Sequence, residues 1–223
     1  MQDYKKDFIE LLVKAEALMF GEFTLKSGRV APYFLNAGKF FTGEYIAELG
    51  KAYAGAYLDS GLEVDVIFGP AYKGIPLSVA CVIQLQEKFD KNLAYTFDRK
   101  EMKTHGDGGN LVGAPLDENT RVLIIDDVMT AGTAVRETME TLKANGNPKV
   151  EGVLISLDRM EKAKDDEMSA VQAVERDFGI KAFSIVNLDD VIEALHGKEV
   201  LGKVYIDDEM KAKIDGYRAE YGV

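Results

Sequence analysis

The sequence predicts an α/β protein with a central, mostly parallel β-sheet flanked by helices. Short apolar segments, typical of buried strands, alternate with longer segments in which apolar residues recur at helical spacing. The alternation runs from residue 64 to residue 186, and strands separated by helices favour parallel pairing through crossover helices. With 223 residues, the chain is long enough for one such domain with a sizeable core.

The predicted elements follow one another in a regular order. An amphipathic helix over residues 8–18 precedes extended segments over 21–36, with turns at Ser27-Gly28 and Ala31-Pro32, and a second helix over 45–57 that ends at Ser60-Gly61. Strands are predicted at residues 64–68, 93–97, 122–125, 150–157 and 182–186. The remaining helices are predicted at residues 74–88, 135–142, 167–178 and 210–221.

We interpret residues 1–223 as a single domain, in which about residues 1–40 form a small N-terminal hood. Residues 98–115 do not fit a packed element, because they contain four glycines, clustered charges and little apolar periodicity. Unstructured loops of this length in compact domains are usually functional lids or disordered segments. We therefore predict that residues 98–115 form a flexible loop over an active site.

Composition and charge exclude several classes of function. The net charge of -11 argues against a non-specific nucleic-acid binder and against an anionic membrane surface as partner. The N-terminal residues contain no signal-peptide core, and no apolar run approaches membrane-spanning length, so a cytoplasmic location is expected. Cys81, the single cysteine, lies in an apolar segment, which favours a buried core thiol.

The strongest functional signal is the segment VLIIDDVMTAGTA. Two carboxylates end an apolar strand, and a short turn of small and hydroxyl-bearing residues then begins a helix. Ligands bind at this edge of open α/β sheets, and the N–H groups of a helix start can surround a phosphate. The residues concerned are Asp126, Asp127, Val128, Met129, Thr130, Ala131, Gly132, Thr133 and Ala134.

The acidic pair gives this segment its second property. Carboxylates accept hydrogen bonds from sugar hydroxyls and can help to hold a divalent cation through water. A phosphate site beside sugar acceptors is suited to ribose 5-phosphate. An isolated Asp-Asp or Thr-x-Gly would more often cap a turn, but the whole run after an apolar strand favours the ligand site. A Walker A loop is excluded, since no Gly-Lys-Ser/Thr is present here.

The segment resembles the PRPP-binding signature of the type I phosphoribosyltransferases. Four further segments, in the same order, resemble the bacterial orotate-specific members of that family: FGEFTLKSGRVAPYFLNAG (20–38), FGPAYKGIP (68–76), RKEMKTHGDGGNLVG (99–113) and LISLDR (154–159). Together they span nearly the whole chain. The resemblance implies the type I phosphoribosyltransferase fold and the transfer of a phosphoribosyl group from PRPP to orotate in pyrimidine biosynthesis.

The resemblance also assigns PRPP-binding residues outside residues 126–134. They are Lys26, Tyr72, Lys73, Arg99, Lys100, Lys103 and His105. Lys103 is the leading catalytic candidate, because its charge would stabilise the pyrophosphate as it leaves. Asp126 and Asp127 are the other catalytic candidates. Alone, Lys73 would be interpreted as a solvated lysine and the cations of residues 99–105 as a solvated loop face.

For orotate, the resemblance assigns four residues. Phe34 would stack on the base beside Leu35, which stands where close relatives have a second phenylalanine and keeps an apolar contact. Arg159 follows a predicted strand, and its planar fork can pair with a carboxylate or a pyrimidine carbonyl. Thr130 completes the set. Without the family resemblance, Phe34 would be interpreted equally well as a residue of the hydrophobic core.

The resemblance further implies Mg²⁺ and a homodimer. The cation would be bound mainly by PRPP oxygens and water, so no dedicated metal ligands are expected. In the family, the loop covers the neighbouring subunit's site. Two alternatives stay open: a phosphoribosyltransferase for a purine or another pyrimidine, and a PRPP-sensing regulator without activity. A regulator is expected to carry a DNA-binding domain or a basic face, which this acidic sequence does not show.

Overall fold

The computed structural model describes residues 1–25, 28–103, 109–129, 132–163 and 166–223. The helices are α1 Asp3–Lys14, α2 Gly43–Ser60, α3 Gly74–Phe89, α4 Thr133–Ala144, α5 Ala170–Phe178, α6 Leu188–Leu195 and α7 Asp208–Tyr221. The strands are β1 Leu18–Thr24, β2 Val30–Leu35, β3 Val66–Gly69, β4 Ala94–Lys103, β5 Gly109–Gly113, β6 Arg121–Asp126, β7 Lys149–Asp158, β8 Lys181–Asn187, β9 Glu199–Val200 and β10 Lys203–Val204. None of the helices formed by these residues has the length and apolar character needed to cross a bilayer.

Six strands form the main sheet, in the order β5-β4-β3-β6-β7-β8. Strands β4, β3, β6, β7 and β8 are parallel, and β5 pairs antiparallel with β4. The central strands β3 and β6 are apolar and buried because helices cover both faces of the sheet. The predicted α/β class and mostly parallel sheet are confirmed.

A hydrophobic core lies on each face of the sheet. The larger core includes side chains of α1, α2, α3, α6 and α7, among them Cys81, which is buried as predicted and whose thiol pKa is raised by that burial. The smaller core includes side chains of α4 and α5. Successive residues of β6 alternate between them, with Leu123 in the larger and Ile124 in the smaller. The helices that follow β3 and β6 therefore lie on opposite faces.

Strands β1 and β2 form a separate antiparallel pair within the predicted hood. This pair packs against α7, where the buried ring of Tyr33 meets Tyr217 edge to face at a centroid distance of 6.0 Å. Helix α1 instead packs against α2 and β8. The β1-β2 pair is thus separate from the main sheet in its strand pairing, although its buried side chains join the larger core.

The prediction that residues 98–115 form a loop is wrong for two of its segments. Residues 98–103 continue β4 and residues 109–113 form β5, with Asp98 opposite Leu111 and Lys103 opposite Gly109. The physical reason is that β5 is an edge strand, held by backbone hydrogen bonds to one neighbour. It therefore needs neither a buried face nor an apolar alternation.

Other element predictions also need correction. The predicted turn at Ala31-Pro32 lies inside β2, because Pro32 sits opposite a register shift in β1 where its missing N–H is tolerated. The first helix ends at Lys14, and Leu18 begins β1. Helix α6 and the β9-β10 pair were not predicted. Helix α6 spans about two turns, too few for a clear periodicity, and depends on a capping box between Asn187 and Asp190.

Candidate active site

The candidate site lies where the strand order of the sheet reverses. After β3 the chain forms α3 on one face of the sheet, and the next strand, β4, lies on one side of β3. After β6 the chain forms α4 on the other face, and the next strand, β7, lies on the opposite side of the β3-β6 pair. In open α/β sheets, such a switch point leaves a crevice at the carboxyl ends of the two strands. Residues 70–73 follow β3 at this edge, and Asp127 follows β6.

A cavity of about 440 Å³ opens at this crevice. It is bounded by the loop after β3, the acidic pair, the β4-β5 hairpin and the first turns of α4. The lining residues are Pro70, Ala71, Tyr72, Lys73, Asp98, Arg99, Lys100, Asn110, Asp126, Asp127, Ala134, Glu137, Thr138 and Thr141. The structure therefore brings together predicted PRPP residues from three separate sequence segments.

The backbone of the acidic pair is held in place by hydrogen bonds from buried hydroxyl groups. The Tyr53 hydroxyl donates to the backbone oxygen of Asp126 at 2.8 Å. The Ser156 hydroxyl and backbone N–H donate to the backbone oxygen of Asp127 at 2.5 Å and 3.0 Å. The Asp127 N–H in turn donates to Oδ1 of Asp126 at 2.9 Å. With both backbone oxygens held, the two carboxylates are directed toward the cavity by the sheet itself.

The two carboxylates differ in environment. Burial raises the pKa of Asp126 to about 6, an effect reinforced by the adjacent charge of Asp127 and opposed by the Asp127 N–H and by Lys73. Asp127 is buried and forms an ion pair with the ammonium of Lys73. A cation therefore lies at the acidic edge, beside a carboxyl group whose pKa is raised to about 6 by burial.

The loop after β3 is shaped by two glycines and one carboxylate. A Cβ at Gly69 would lie 2.1 Å from the backbone oxygen of Gly74, so that only glycine permits this close approach of strand and helix. The Ala71 N–H donates to Oδ1 of Asp98 at 2.6 Å, and the peptide bond between Ala71 and Tyr72 is cis. The Tyr72 side chain is exposed at the cavity.

The start of α4 supplies the opposite wall. Gly132 precedes the helix with φ of +67°, a left-handed conformation that favours glycine, and Thr133 and Ala134 form the first turn. N–H groups of this first turn have no partner within the helix, which suits an anion. Val128 and Met129 are half-buried, and Met129 packs against the smaller core.

Several predicted residues fall outside the described part of the chain. They are Lys26, His105, Thr130 and Ala131. Lys103 ends β4, where its backbone pairs with Gly109. Arg99 and Lys100 precede it in the same strand and line the cavity.

Of the predicted orotate residues, Phe34, Leu35 and Arg159 lie in the described part of the chain, and these three do not line the cavity. Phe34 is 36% exposed and stacks on Phe23 at a centroid distance of 5.7 Å. Leu35 packs against the larger core, because successive residues of a strand point to opposite faces. Phe34 and Leu35 thus do not share a face. Arg159, just after β7, is ion-paired with Glu161 at 3.6 Å.

Sequence reasoning missed four residues that support the site. Tyr53 resembled an ordinary core residue of α2, and Asp98 was assigned to a loop. Ser156 carried a usable signal, because a hydroxyl inside a buried strand requires a partner. Glu161 had no comparable signal in the sequence.

Within the described ranges, no three His, Cys, Asp or Glu side chains are grouped to hold a metal ion.

The chain is similar to known proteins along its whole length. Residues 40–187 match the family described as "Phosphoribosyl transferase domain". The orotate phosphoribosyltransferase of Vibrio parahaemolyticus is 52% identical over 100% of both chains. That of Lachnoclostridium phytofermentans is 49% identical over 100% of this chain and 99% of its own.

A solved structure extends this similarity to the fold. The crystal structure of the orotate phosphoribosyltransferase of Francisella tularensis matches with a TM-score of 0.85 and 44% sequence identity. The match covers 97% of this chain and 99% of that chain. The similarity thus includes the sheet, the hood strands and the C-terminal helix.

Proposed function

Since this chain belongs to the orotate phosphoribosyltransferases, we propose how its residues divide the two substrates between them. The enzyme transfers the 5-phosphoribosyl group of PRPP to orotate, giving orotidine 5′-monophosphate and pyrophosphate in pyrimidine biosynthesis. One observation carries the division: the loop after β3 and the acidic pair after β6 line the same cavity. The orotate phosphoribosyltransferases reported above match the full chain, which favours this activity over an enzyme for a purine or another pyrimidine and over a regulator.

PRPP occupies the cavity in this proposal. The carboxylates of Asp126 and Asp127 accept hydrogen bonds from the ribose hydroxyls, and residues 130–134 bind the 5-phosphate. The loop at residues 70–73 binds pyrophosphate, with Lys73 as its cation. The remaining proposed PRPP contacts are Lys26, Tyr72, Arg99, Lys100, Lys103, His105, Val128 and Met129.

The reaction is a displacement at the anomeric carbon. The bond from that carbon to the pyrophosphate oxygen breaks, and a ring nitrogen of orotate forms the new bond and releases its proton to solvent, through a state with oxocarbenium character. No protein nucleophile is required. Lys103 stabilises the negative charge that develops on pyrophosphate, while the fixed acidic pair orients the ribose.

Orotate binds on the hood side of the ribose. Phe34 offers the exposed face of a ring already stacked on Phe23. Arg159 offers a planar guanidinium to a carboxylate or carbonyl oxygen, and Thr130 adds a hydroxyl. Leu35 acts indirectly, since its packing against the core holds β2 in place.

Mg²⁺ is the proposed cofactor, and the oxygen donors at the cavity fit it. Asp126 and Asp127 present carboxylate oxygens, which this ion prefers, and would contact it mainly through water. When bound, the ion neutralises part of the pyrophosphate charge.

We also propose a cytoplasmic homodimer in which residues 98–115 of each subunit cover the partner's site, as the resemblance implies.

The activity is tested by base selectivity. Purified protein with PRPP and Mg²⁺ is given orotate, uracil, hypoxanthine or adenine, and base consumption is followed together with pyrophosphate release. We expect orotate alone to be consumed. Consumption of a purine at a comparable rate, or no consumption of any base, would contradict the proposal.

A further inference from the structure

Glu161 is a carboxylate buried beside the candidate base site. It follows β7 by three positions, and its side chain is 6% exposed. Burial of an ionised carboxylate is costly unless it is paired and hydrogen-bonded. Its partners therefore indicate what the residue does.

The two carboxylate oxygens of Glu161 face different groups. Oε1 accepts a hydrogen bond of 2.6 Å from the hydroxyl of Tyr33 in the hood. Oε2 lies 3.6 Å from Nη2 of Arg159 and 4.0 Å from Nη1 of Arg29. One oxygen is thus fixed by a neutral donor, and the other faces two guanidinium groups.

Further contacts tie the hood, the end of β7 and α7 around this carboxylate. The guanidinium of Arg29 lies over the ring of Tyr221 at 4.6 Å and donates to the backbone oxygen of Lys162 at 3.2 Å. The Lys162 N–H donates to the backbone oxygen of Tyr221 at 2.8 Å. Glu161 is therefore held at the junction of three parts of the fold.

The ion pair with Glu161 leaves N–H donors of the Arg159 guanidinium available for a ligand. Among the described residues, Glu161 is the one ion-pair partner of Arg159, and 3.6 Å is longer than a hydrogen bond. A guanidinium has five N–H donors, so an ion pair at this distance restrains its direction without occupying the fork. Oε2 lies within 4.0 Å of both guanidinium groups, so loss of the carboxylate would remove the negative charge that Arg159 and Arg29 share.

We propose that Glu161 is a positioning residue for orotate: it holds the Arg159 guanidinium in the direction that receives the base. The inference rests on the proposed role of Arg159. A purely structural role for Glu161, joining the hood to α7, makes a different prediction, because it would affect both substrates and folding alike.

The test compares two matched charge removals. Glu161→Gln keeps the shape and an acceptor for Tyr33, and the control Glu167→Gln removes an 88% exposed carboxylate whose ion-pair partner is Lys162. For Glu161→Gln we expect the KM for orotate to rise about tenfold while the KM for PRPP changes less than about twofold. Glu167→Gln should leave both unchanged. Equal rises in both KM values, or no rise for orotate, would overturn the inference.

A double-mutant cycle with Arg159→Ala separates this inference from the proposed function. If Glu161 acts through Arg159, Glu161→Gln should add nothing to the orotate KM of Arg159→Ala. Additive effects would overturn the positioning role. An unchanged orotate KM in Arg159→Ala alone would instead refute the proposed role of the arginine.

A milder variant keeps the inference testable if Glu161→Gln folds poorly. Tyr33→Phe retains the buried ring and removes the 2.6 Å hydrogen bond that the Tyr33 hydroxyl donates to Oε1. We expect the orotate KM to rise about two- to fivefold, with the PRPP KM unchanged. Wild-type values for both substrates in a folded Tyr33→Phe protein would count against the positioning role.

Discussion

The ammonium of Lys73 is ion-paired with the carboxylate of Asp127, although 54 positions separate the two residues in the chain. The lysine belongs to the loop after β3 and the aspartate to the end of β6, so the pair joins the two halves of the switch point. Asp127 is buried, whereas the Lys73 side chain is 61% exposed. The pair therefore keeps a solvent-accessible cation at the proposed boundary between ribose and pyrophosphate.

Lys73→Ala should weaken the use of PRPP. Loss of a charge-assisted contact to pyrophosphate should raise the KM for PRPP about ten- to hundredfold, with a much smaller change for orotate. Steady-state kinetics with each substrate varied would measure this. The control is Lys88→Ala, an exposed lysine in the last turn of α3. A PRPP KM equal to that of the control would exclude Lys73 from the pyrophosphate site.

Lys103→Ala should act on turnover and not on binding. A cation that stabilises developing charge contributes mainly in the transition state, so kcat should fall about 10²- to 10³-fold. The dissociation constant for PRPP, measured by titration calorimetry, should change far less. Lys143→Ala, at the end of α4, is the matched control. Wild-type turnover would remove Lys103 from the mechanism.

Asp126→Asn should stabilise the protein above neutral pH while it destroys activity. The folded-state pKa of Asp126, about 6, lies above the ordinary value of 3.8, so ionisation of this group destabilises the fold. The free-energy cost of ionising Asp126 in the folded protein is absent below pH 3.8 and complete above about pH 6. At pH 8 the variant should gain on the order of 1–3 kcal/mol, or several °C in Tm. At pH 4 the gain should vanish.

An aspartate with the opposite shift provides the control. Hydrogen bonds from the Arg121 side chain and backbone lower the pKa of Asp65 to about 2. Its ionisation therefore stabilises the fold above pH 3.8, and this contribution is lost as the pH falls through about 2. Asp65→Asn should lower Tm at pH 8. A Tm gain for Asp126→Asn that is the same at pH 4 and pH 8 would show that burial of its charge is not the cause.

Removal of Mg²⁺ should stop the reaction. Because the ion is proposed to bind with PRPP and not in a fixed protein site, a chelator should abolish orotate consumption, and excess Mg²⁺ should restore it at once. The Tm of the protein without substrates should not change on chelation. Full activity in the chelator would refute the cofactor assignment, and a drop in Tm would point to a structural ion.

Mixed subunits would test the shared active site. Lys103→Ala and the double variant Asp126→Asn, Asp127→Asn should each be nearly inactive. A hybrid dimer contains one subunit of each variant. If the loop of one subunit completes its partner's site, one of the two sites in the hybrid has both an intact loop and an intact acidic pair. A 1:1 mixture after subunit exchange should then recover about a quarter of wild-type activity. No recovery, despite hybrids seen by mass spectrometry, would place each loop over its own subunit's site.

The alternation of strands and helices could be predicted from the sequence because period and length are local properties. The buried runs at β3, β6, β7 and β8 and the helices between them follow from apolar spacing alone. Strand β5 gave no such signal, because it depends on pairing with β4 and not on a buried face. Helix α6 has a buried face but was missed, since about two turns are too few to show a periodicity and its start depends on a capping box.

By itself, the sequence determined the α/β class, the proposed ligand-binding ends of β3 and β6 and, through its resemblance, the family. Only the tertiary structure decided that β3 and β6 are neighbours, so that Lys73 meets Asp127, and that Tyr33 meets Glu161 across 128 positions. The physical reason is that periodicity reveals which face of an element is buried but not which partner covers it. Strand order and the pairing of buried charges are set by contacts between segments distant in the chain.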